Sequence, residues 1–201
     1  MAAHLEEHHV SFHLPGPGEG HPPDALPSED LTARIAHDHR LIEALFDQLS
    51  EADPQRPVLD AIVRELSQHA AAEEEVVYPE LATAGDGDHL RAASLTDHRA
   101  IEDLLVELQD AVPGTEGLDT TVDELRAALR AHVAEEEAAV LPALAHAIGD
   151  ERMHELAADF DAARRRAPTR PHPLAPDTPP ANKVVDAIVA PVDRLRDGLR
   201  G

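Results

Sequence analysis

Residues 69–79 read HAAAEEEVVYP, and residues 132–142 read HVAEEEAAVLP. The copies are 63 positions apart, and both keep a His, a Glu four places later and a Pro six places after that Glu. Side chains four apart lie on the same face of an α-helix, so each copy can offer an imidazole and a carboxylate to one metal ion or to two adjacent ions. One HxxxE pattern means little, but two matched copies predict a pair of metal-binding helices.

The composition predicts an all-α protein with a strongly acidic body. Helix-forming residues dominate the 201-residue chain, aromatic residues make up 2%, and the formal net charge is −23. This charge disfavours nucleic acid and anionic membrane surfaces as partners. No apolar run approaches the roughly 20 residues that a membrane span needs, and the N-terminus shows no signal-peptide pattern. We therefore expect no membrane association and a cytoplasmic location.

The chain has no cysteine, which excludes disulfides and thiolate metal sites. Any metal must therefore be held by His nitrogen and carboxylate oxygen. Readily oxidised side chains are also few, as in a protein that tolerates peroxide or oxygen. A genome-wide bias in composition explains that scarcity more simply.

Apolar spacing, prolines and glycines divide the chain into five segments. We predict a disordered arm at 1–27, a four-helix bundle at 28–149 and an additional helix at 150–166. A proline-rich linker at 167–182 and a short amphipathic helix at 183–201 form a C-terminal extension.

The C-terminal part of the chain has the opposite charge to the body. Residues 164–201 carry eight basic and four acidic residues, against nine and thirty-six in residues 1–163. We expect the terminal helix to dock on the acidic bundle or on a second copy, with a membrane-surface role as the rival. The docking face is predicted to be Val185, Ile188, Val192 and Leu195.

Each of the four predicted bundle helices carries one His in its apolar seam. These residues are His39, His69, His98 and His132. One such residue is easily explained as a core histidine that finds a protein partner. Four at one level would bury too many polar groups unless they share a metal ion. His37 falls on the far side of the first helix, and we expect it to be solvated.

A second repeat completes the pattern, because residues 38–45 read DHRLIEAL and residues 97–104 read DHRAIEDL. The chain thus has two helix–turn–helix halves, each with DHRxIExL followed by HxxxExxxxxP. Over about residues 30–148 it resembles the hemerythrin-like HHE cation-binding family in its bacterial, pseudo-symmetric form. The resemblance implies an up-down-up-down four-helix bundle around a non-haem centre with two irons per chain.

The resemblance also implies one imidazole ligand from each helix and one bridging carboxylate from each half. In chain order, the implied ligands are His39, His69, Glu73, His98, His132 and Glu136. The histidines of the first half would bind one iron, and those of the second half the other.

Two further glutamates, Glu43 and Glu102, lie four places after His39 and His98. They are either additional ligands or surface residues at the edge of the stripe. The repeat keeps both, and an unpaired buried carboxylate is costly, so we include them as candidate ligands.

Neighbouring residues are assigned lesser roles. Asp38 and Asp97 each come directly before a His. They are candidates to form hydrogen bonds with ligand imidazoles from outside the metal site. Tyr78 lies opposite His69 on an ideal helix and is not expected to be a ligand. Four glutamates are expected to be solvated: Glu74, Glu75, Glu135 and Glu137.

The pattern departs from that of animal oxygen-carrying hemerythrins, which have HxxxH on the third helix and an Asp ligand on the fourth. Fewer imidazoles make reversible oxygen transport a poor expectation. A di-iron protein that reacts with hydrogen peroxide, in a weak catalase-like way, or with oxygen or nitric oxide, fits the ligand set. An iron storage or sensing protein without turnover, or a helical interaction module with incidental metal, remain alternatives. We expect a monomer or weak homodimer.

Substitution of the seam histidines tests the predicted register. His69→Ala or His132→Ala should remove metal and destabilise the bundle, because the remaining polar core loses its ion. His37→Ala should do neither. Metal content and thermal unfolding of purified variants measure this, and metal loss from His37→Ala but not from His39→Ala would contradict the register of the first helix.

Overall fold

The computed structural model describes residues 30–52, 55–173 and 181–200. Throughout these ranges the regular elements are helical, and none of the helices is long and apolar enough to cross a membrane. The predicted arm at 1–27 lies outside the described residues. The main helices are α1 Leu31–Leu49, α2 Arg56–Ala72, α3 Gly87–Gln109, α4 Leu118–Glu135, α5 Leu141–Arg166 and α6 Ala181–Arg200.

Helices α1 to α4 form the bundle, which confirms the predicted all-α architecture. The helix α1 begins at an Asp30 cap, whose side chain accepts a hydrogen bond of 3.0 Å from the Ala33 backbone N–H. Pro57 stands in the first turn of α2, where a missing N–H costs nothing. Short connections between successive helices then force antiparallel packing.

Both repeated motifs continue past their α-helix through a π-helical turn. These turns are Glu73–Val77 after α2 and Glu136–Val140 after α4. The repeated prolines, Pro79 and Pro142, stand just beyond the turns. Because proline cannot donate the usual i→i−4 hydrogen bond, a locally widened helix accommodates it at lower cost than a regular one. After the first π turn the chain continues through a short helical segment at Tyr78–Glu80 and a 3₁₀ turn at Leu81–Thr83 before α3 begins.

Two apolar clusters form the core, and the seam histidines lie between them. On α1, Ile35 belongs to the first cluster and Ile42 to the second, with His39 in between. Helix α5 contributes buried residues to the first cluster, namely Leu141, Leu144, Met153, Leu156, Phe160 and Ala163. The seam histidines therefore occupy a polar layer inside an otherwise apolar bundle.

Gly149 lets α5 fold back over the bundle. Its φ of 77° and ψ of 168° are non-helical and kink α5 at that residue. This conformation is readily available only to glycine. The part of α5 beyond the kink contacts α1 and α2 through Phe160, Asp161 and Arg164, so it covers the first half of the repeat.

Helix α6 is attached by polar contacts to the segment that follows α5. His172 Nε2 lies 2.8 Å from the Asp193 carboxylate, and Asp193 is buried. Asp197 accepts hydrogen bonds of 2.6 Å from Thr169 and 2.7 Å from Arg170. These pairs fix the helix by charge and hydrogen bonding.

The part of the predicted docking face that is described is not buried within one chain, and docking on a second copy stays a prediction. Val192 and Leu195 are 49% and 67% exposed. The side chains of Val185 and Ile188 lie outside the described residues. The buried Asp193 and the partly exposed Asp197 face this segment because it offers them His172, Thr169 and Arg170 as partners.

The start of α3 gives a test of the packing. A Cβ atom at Gly87 would lie 1.6 Å from the Leu81 carbonyl oxygen, whereas one at Gly85 would meet nothing within 4 Å. Gly87→Ala should destabilise the protein by about 1–3 kcal/mol or more, as overpacking does. Denaturant unfolding of Gly87→Ala and Gly85→Ala measures this, and equal midpoints would contradict the close approach of these two turns.

Candidate metal centre

Four imidazoles form one buried layer across the bundle. They come from α1, α2, α3 and α4, and each residue is at most 5% exposed: His39, His69, His98 and His132. The ring centroids of the first two are 4.9 Å apart, and those of the last two 4.8 Å. The fold thus pairs the histidines by half of the sequence, as the repeat predicts.

Two buried glutamates connect the halves. Glu73 Oε1 lies 3.0 Å from His69 Nε2, and its Oε2 lies 3.2 Å from His98 Nε2. Glu136 Oε2 lies 3.2 Å from His39 Nε2 and 3.8 Å from His132 Nε2. Each carboxylate reaches one imidazole of either half, which is the placement that a bridging ligand requires.

These groups make two adjacent sets of potential ligands. Within each set, the nitrogen and oxygen atoms all lie within 4.8 Å of one another. The sets, which share Glu73, are His39–His69–Glu73–Glu136 and Glu73–His98–His132. Six of the eight residues predicted as ligands are thereby brought together.

The inward-facing atoms fit a cation. Nε2 of His39 and His69 and both oxygens of Glu73 and Glu136 are buried without a hydrogen-bond partner, although they lie close together. Leaving such groups unpaired costs roughly 1–3 kcal/mol each, and more when they are charged. A metal ion at the centre of each set would satisfy these atoms at once.

Two glutamates that are next to ligands in sequence form hydrogen bonds with the Nδ1 atoms of two imidazoles, on the side away from the metal site. Glu137 Oε1 lies 2.9 Å from His39 Nδ1, and Glu74 Oε1 lies 2.9 Å from His98 Nδ1. The expectation of a solvated side chain is wrong for Glu74, which is 18% exposed, and right for Glu137, which is 45% exposed. Each nevertheless reaches across to the histidine of another helix. An Nδ1–H that donates to these carboxylates leaves Nε2 as the metal-facing lone pair.

The other two imidazoles face aspartates. His69 Nδ1 is 3.5 Å from Asp38 Oδ2, and His132 Nδ1 is 3.6 Å from Asp97 Oδ2. These distances are long for hydrogen bonds but close enough for electrostatic attraction. Asp38 and Asp97 therefore stand where the sequence places them, beside the imidazoles of α2 and α4.

The two remaining glutamates of the repeated EEE triplets differ from each other. Glu75 forms an ion pair with Arg166, and its side chain is only 7% exposed, so the expectation that it is solvated is wrong. Glu135 is exposed, as expected. The fold distinguishes them because α5 brings an arginine to the first half of the repeat.

Tyr78 faces the site, contrary to expectation. Its hydroxyl lies 2.8 Å from His98 Nε2, and the residue is 2% exposed. Nine residues after His69, it would lie roughly 180° away on an ideal helix. The intervening π turn takes up about one extra residue and rotates Tyr78 towards the ligands. The equivalent residue in the second copy is Leu141, so the hydroxyl breaks the symmetry.

The structure does not bring Glu43 and Glu102 to the cluster, which corrects their placement among the ligands. Glu43 accepts hydrogen bonds of 2.8 Å from Arg126 and 3.0 Å from Arg130. Glu102 accepts one of 2.7 Å from the backbone N–H of His172. Partners on other elements draw both carboxylates away from the layer. His37, half-buried, also lies outside both ligand sets.

The cluster raises the pKa of two imidazoles. Burial alone would lower the pKa of His69, but the Glu73 and Asp38 carboxylates outweigh burial and raise it to about 10. Burial opposes protonation of His98 as well, and Glu73 and Glu74 raise its pKa to about 10. Without metal, both side chains are therefore imidazolium ions, protonated on both ring nitrogens, at neutral pH.

The pKa values of His132 and Glu136 shift in opposite directions. Burial and the nearby His98 imidazolium lower the pKa of His132 to about 3. Burial and the Glu73 carboxylate raise the pKa of Glu136 to about 7. In the metal-free protein, protons bound in this layer take the place of the positive charge that a metal would supply.

The fold and this site define a helical-bundle protein with a His and carboxylate cation site. The family model described as "Hemerythrin HHE cation binding domain" matches residues 30–144 and 95–169. The chain therefore belongs to this family.

Several known proteins are similar to the chain. An uncharacterised hemerythrin-like protein of Schizosaccharomyces pombe is 29% identical over 172 residues, which cover 83% of this chain and 85% of that protein. A Nostoc protein named DNA nickase is 29% identical over 141 residues, or 68% of this chain but only 39% of that protein. The crystal structure of a hemerythrin HHE cation-binding domain-containing protein from Mycobacterium kansasii aligns with a TM-score of 0.60 and 25% identity. That alignment covers 68% of this chain and 86% of that one.

Removal of the shared carboxylate tests the arrangement. Glu73 belongs to both ligand sets, so Glu73→Ala should weaken metal binding in both halves. Loss of a residue that only hydrogen-bonds to a ligand typically lowers metal affinity by about 10–100-fold, and loss of Glu73 itself should lower it by at least as much. Elemental analysis and competition with a chelator measure this. Glu135→Ala, which changes an exposed glutamate, is the control, and equal metal content in the two variants would contradict the shared role.

Metal binding should release protons. A cation needs the Nε2 lone pairs of His69 and His98, whose pKa values of about 10 keep them protonated in the metal-free protein at pH 7. Apparent zinc affinity should therefore fall as the pH falls from 9 to 6. Calorimetry in buffers of different ionisation enthalpy measures the released protons, and a binding heat independent of the buffer would contradict this.

Proposed function

We propose that the chain is a non-haem di-iron protein whose centre binds or reacts with hydrogen peroxide, oxygen or nitric oxide. The observation that carries the proposal is the set of buried inward-facing nitrogen and oxygen atoms without a protein partner. Two adjacent ligand sets that share one carboxylate favour two ions. Imidazole and carboxylate suit iron, zinc or manganese, and the family resemblance favours iron.

The two ligand sets are unequal in a way that favours small-molecule binding. The set in the second half contains two imidazoles and the shared carboxylate, which leaves positions for an external ligand. Iron bound there would supply one-electron chemistry and open coordination positions. The Tyr78 hydroxyl stands beside this set, 2.8 Å from His98 Nε2.

Tyr78 is suited to hold a proton at its hydroxyl oxygen. Burial, together with the carboxylates of Glu73 and Glu136, raises its pKa well above the ordinary value. It therefore stays a phenol at neutral pH and can donate a hydrogen bond to an oxygen or nitrogen atom of a small ligand. Leu141 in the second copy has no such group.

A DNA-directed function, which the name of the Nostoc relative suggests, is not favoured for this chain. That protein is much longer than the shared region, and a net charge of −23 works against binding to a nucleic-acid backbone. A storage or sensing role without turnover is the alternative to a reactive centre. The cytoplasmic location and the monomeric or weakly dimeric state stay predictions.

A peroxide titration of iron-loaded protein tests the proposal. We expect two irons per chain, slow peroxide consumption and a change in near-ultraviolet absorption on addition of peroxide. Tyr78→Phe should retain iron and change the response to peroxide, because only the hydroxyl is removed. One tightly bound iron would contradict the dinuclear centre. Two irons without any response to peroxide, oxygen or nitric oxide would favour storage.

A further inference from the structure

The part of helix α5 beyond Gly149 lies outside the four-helix bundle, yet it makes contacts around one of the metal-facing histidines. Arg164 Nη1 donates to Asp38 Oδ1 at 3.0 Å, and its Nη2 donates to Glu65 Oε2 at 2.5 Å. The other oxygen of Asp38 faces His69 Nδ1. Phe160 of α5 also meets the His69 ring edge-to-face, with centroids 5.8 Å apart.

The chain of contacts from Arg164 to His69 is almost completely withdrawn from water. The side chains of Asp38 and His69 are 0% and 3% exposed, and that of Arg164 is 13% exposed. A guanidinium that binds two carboxylates has little freedom to rotate, because its planar fork fixes both partners. Asp38 is consequently fixed with its second oxygen towards the imidazole.

The equivalent contact in the second half is much more open. The Asp97 side chain, which faces His132, is 43% exposed, so water competes for its oxygens. The two halves of the repeat carry the same Asp-His pair in sequence, but α5 packs against α1 and α2 of the first half. The asymmetry therefore comes from α5 and has no source in the repeated motifs.

We propose that Arg164 is a positioning residue for the candidate ligand His69, acting through Asp38, and that it makes the His39–His69 half retain its metal longer than the His98–His132 half. The inference rests on the proposed metal-binding function. A fixed Asp38 keeps its charged oxygen 3.5 Å from His69 Nδ1, where electrostatic attraction favours the tautomer that bears its proton at Nδ1 and leaves Nε2 directed at the metal. Carboxylates in this outer position typically change metal affinity by about 10–100-fold.

Metal release from the zinc-loaded full-length protein tests the proposal. In excess chelator, wild type should lose its zinc in two phases. Arg164→Met should accelerate the slow phase by about 10–100-fold, the size expected of an outer partner, and leave the fast phase unchanged. Asp97→Asn should accelerate only the fast phase. Arg166→Met is the matched control, because Arg166 lies on the same helix, is 57% exposed and pairs with Glu75, which belongs to neither ligand set.

A spectroscopic measurement separates positioning from a structural role. In the zinc-loaded protein, the Nδ1–H proton of His69 should exchange with water more slowly than that of His132, as NMR can show. Arg164→Met should accelerate exchange at His69 alone, and Arg164→Lys should restore part of the protection. If Arg164→Met does not fold, Glu65→Gln serves instead, since it loosens the guanidinium without removing its charge, and a smaller acceleration of the slow phase is expected.

The outcomes distinguish the inference from the function on which it rests. A wild type that binds no zinc or iron would overturn both. A wild type that binds two ions but loses them in one phase would overturn the inference alone. So would an Arg164→Met protein with the release rates and His69 exchange of Arg166→Met.

Discussion

The structure depends on one constraint, which is that a layer of imidazoles and carboxylates lies buried between two apolar clusters. Each cluster alone is an ordinary helical core. The layer between them contains polar atoms without hydrogen-bond partners, which a stable fold tolerates only with a compensating group. A shared cation would provide that compensation, and the proposed metal would then stabilise the centre of the bundle. The acidic ligands also explain why His69 and His98 attract protons when metal is absent.

The sequence was sufficient to predict the bundle and most of the layer. The seam histidines follow from apolar spacing, and the repeat singles out Glu73 and Glu136. Residues whose placement depends on a straight helix were mispredicted. Tyr78 faces the site because a π turn, which this sequence signals only through the proline after it, rotates the helix. Glu43 was misplaced because its partner, Arg126, comes from a different helix, and periodicity within one segment carries no information about such pairs.

The two halves of the repeat have the same ligand pairs but different surroundings. The tyrosine hydroxyl stands beside the second-half ligands, while α5 covers the first half through Arg164 and Phe160. The described geometry thus suits one half to retain its metal and the other to meet a small molecule. Duplication supplies the ligand pairs, and the parts of the chain that are not duplicated make them unequal. The terminal helix illustrates the same limit of sequence reasoning, since its described polar contacts, such as that of Asp193 with His172, come from residues that apolar spacing does not single out.

The central claim is that metal ions occupy the polar layer, and anomalous X-ray diffraction from crystals of the iron-loaded protein tests it most directly. The account predicts two anomalous peaks per chain, about 3.5–4 Å apart as in other dinuclear centres. One should lie among His39, His69, Glu73 and Glu136, and the other among Glu73, His98 and His132. A layer without an anomalous peak, or peaks only at surface carboxylates, would contradict the account.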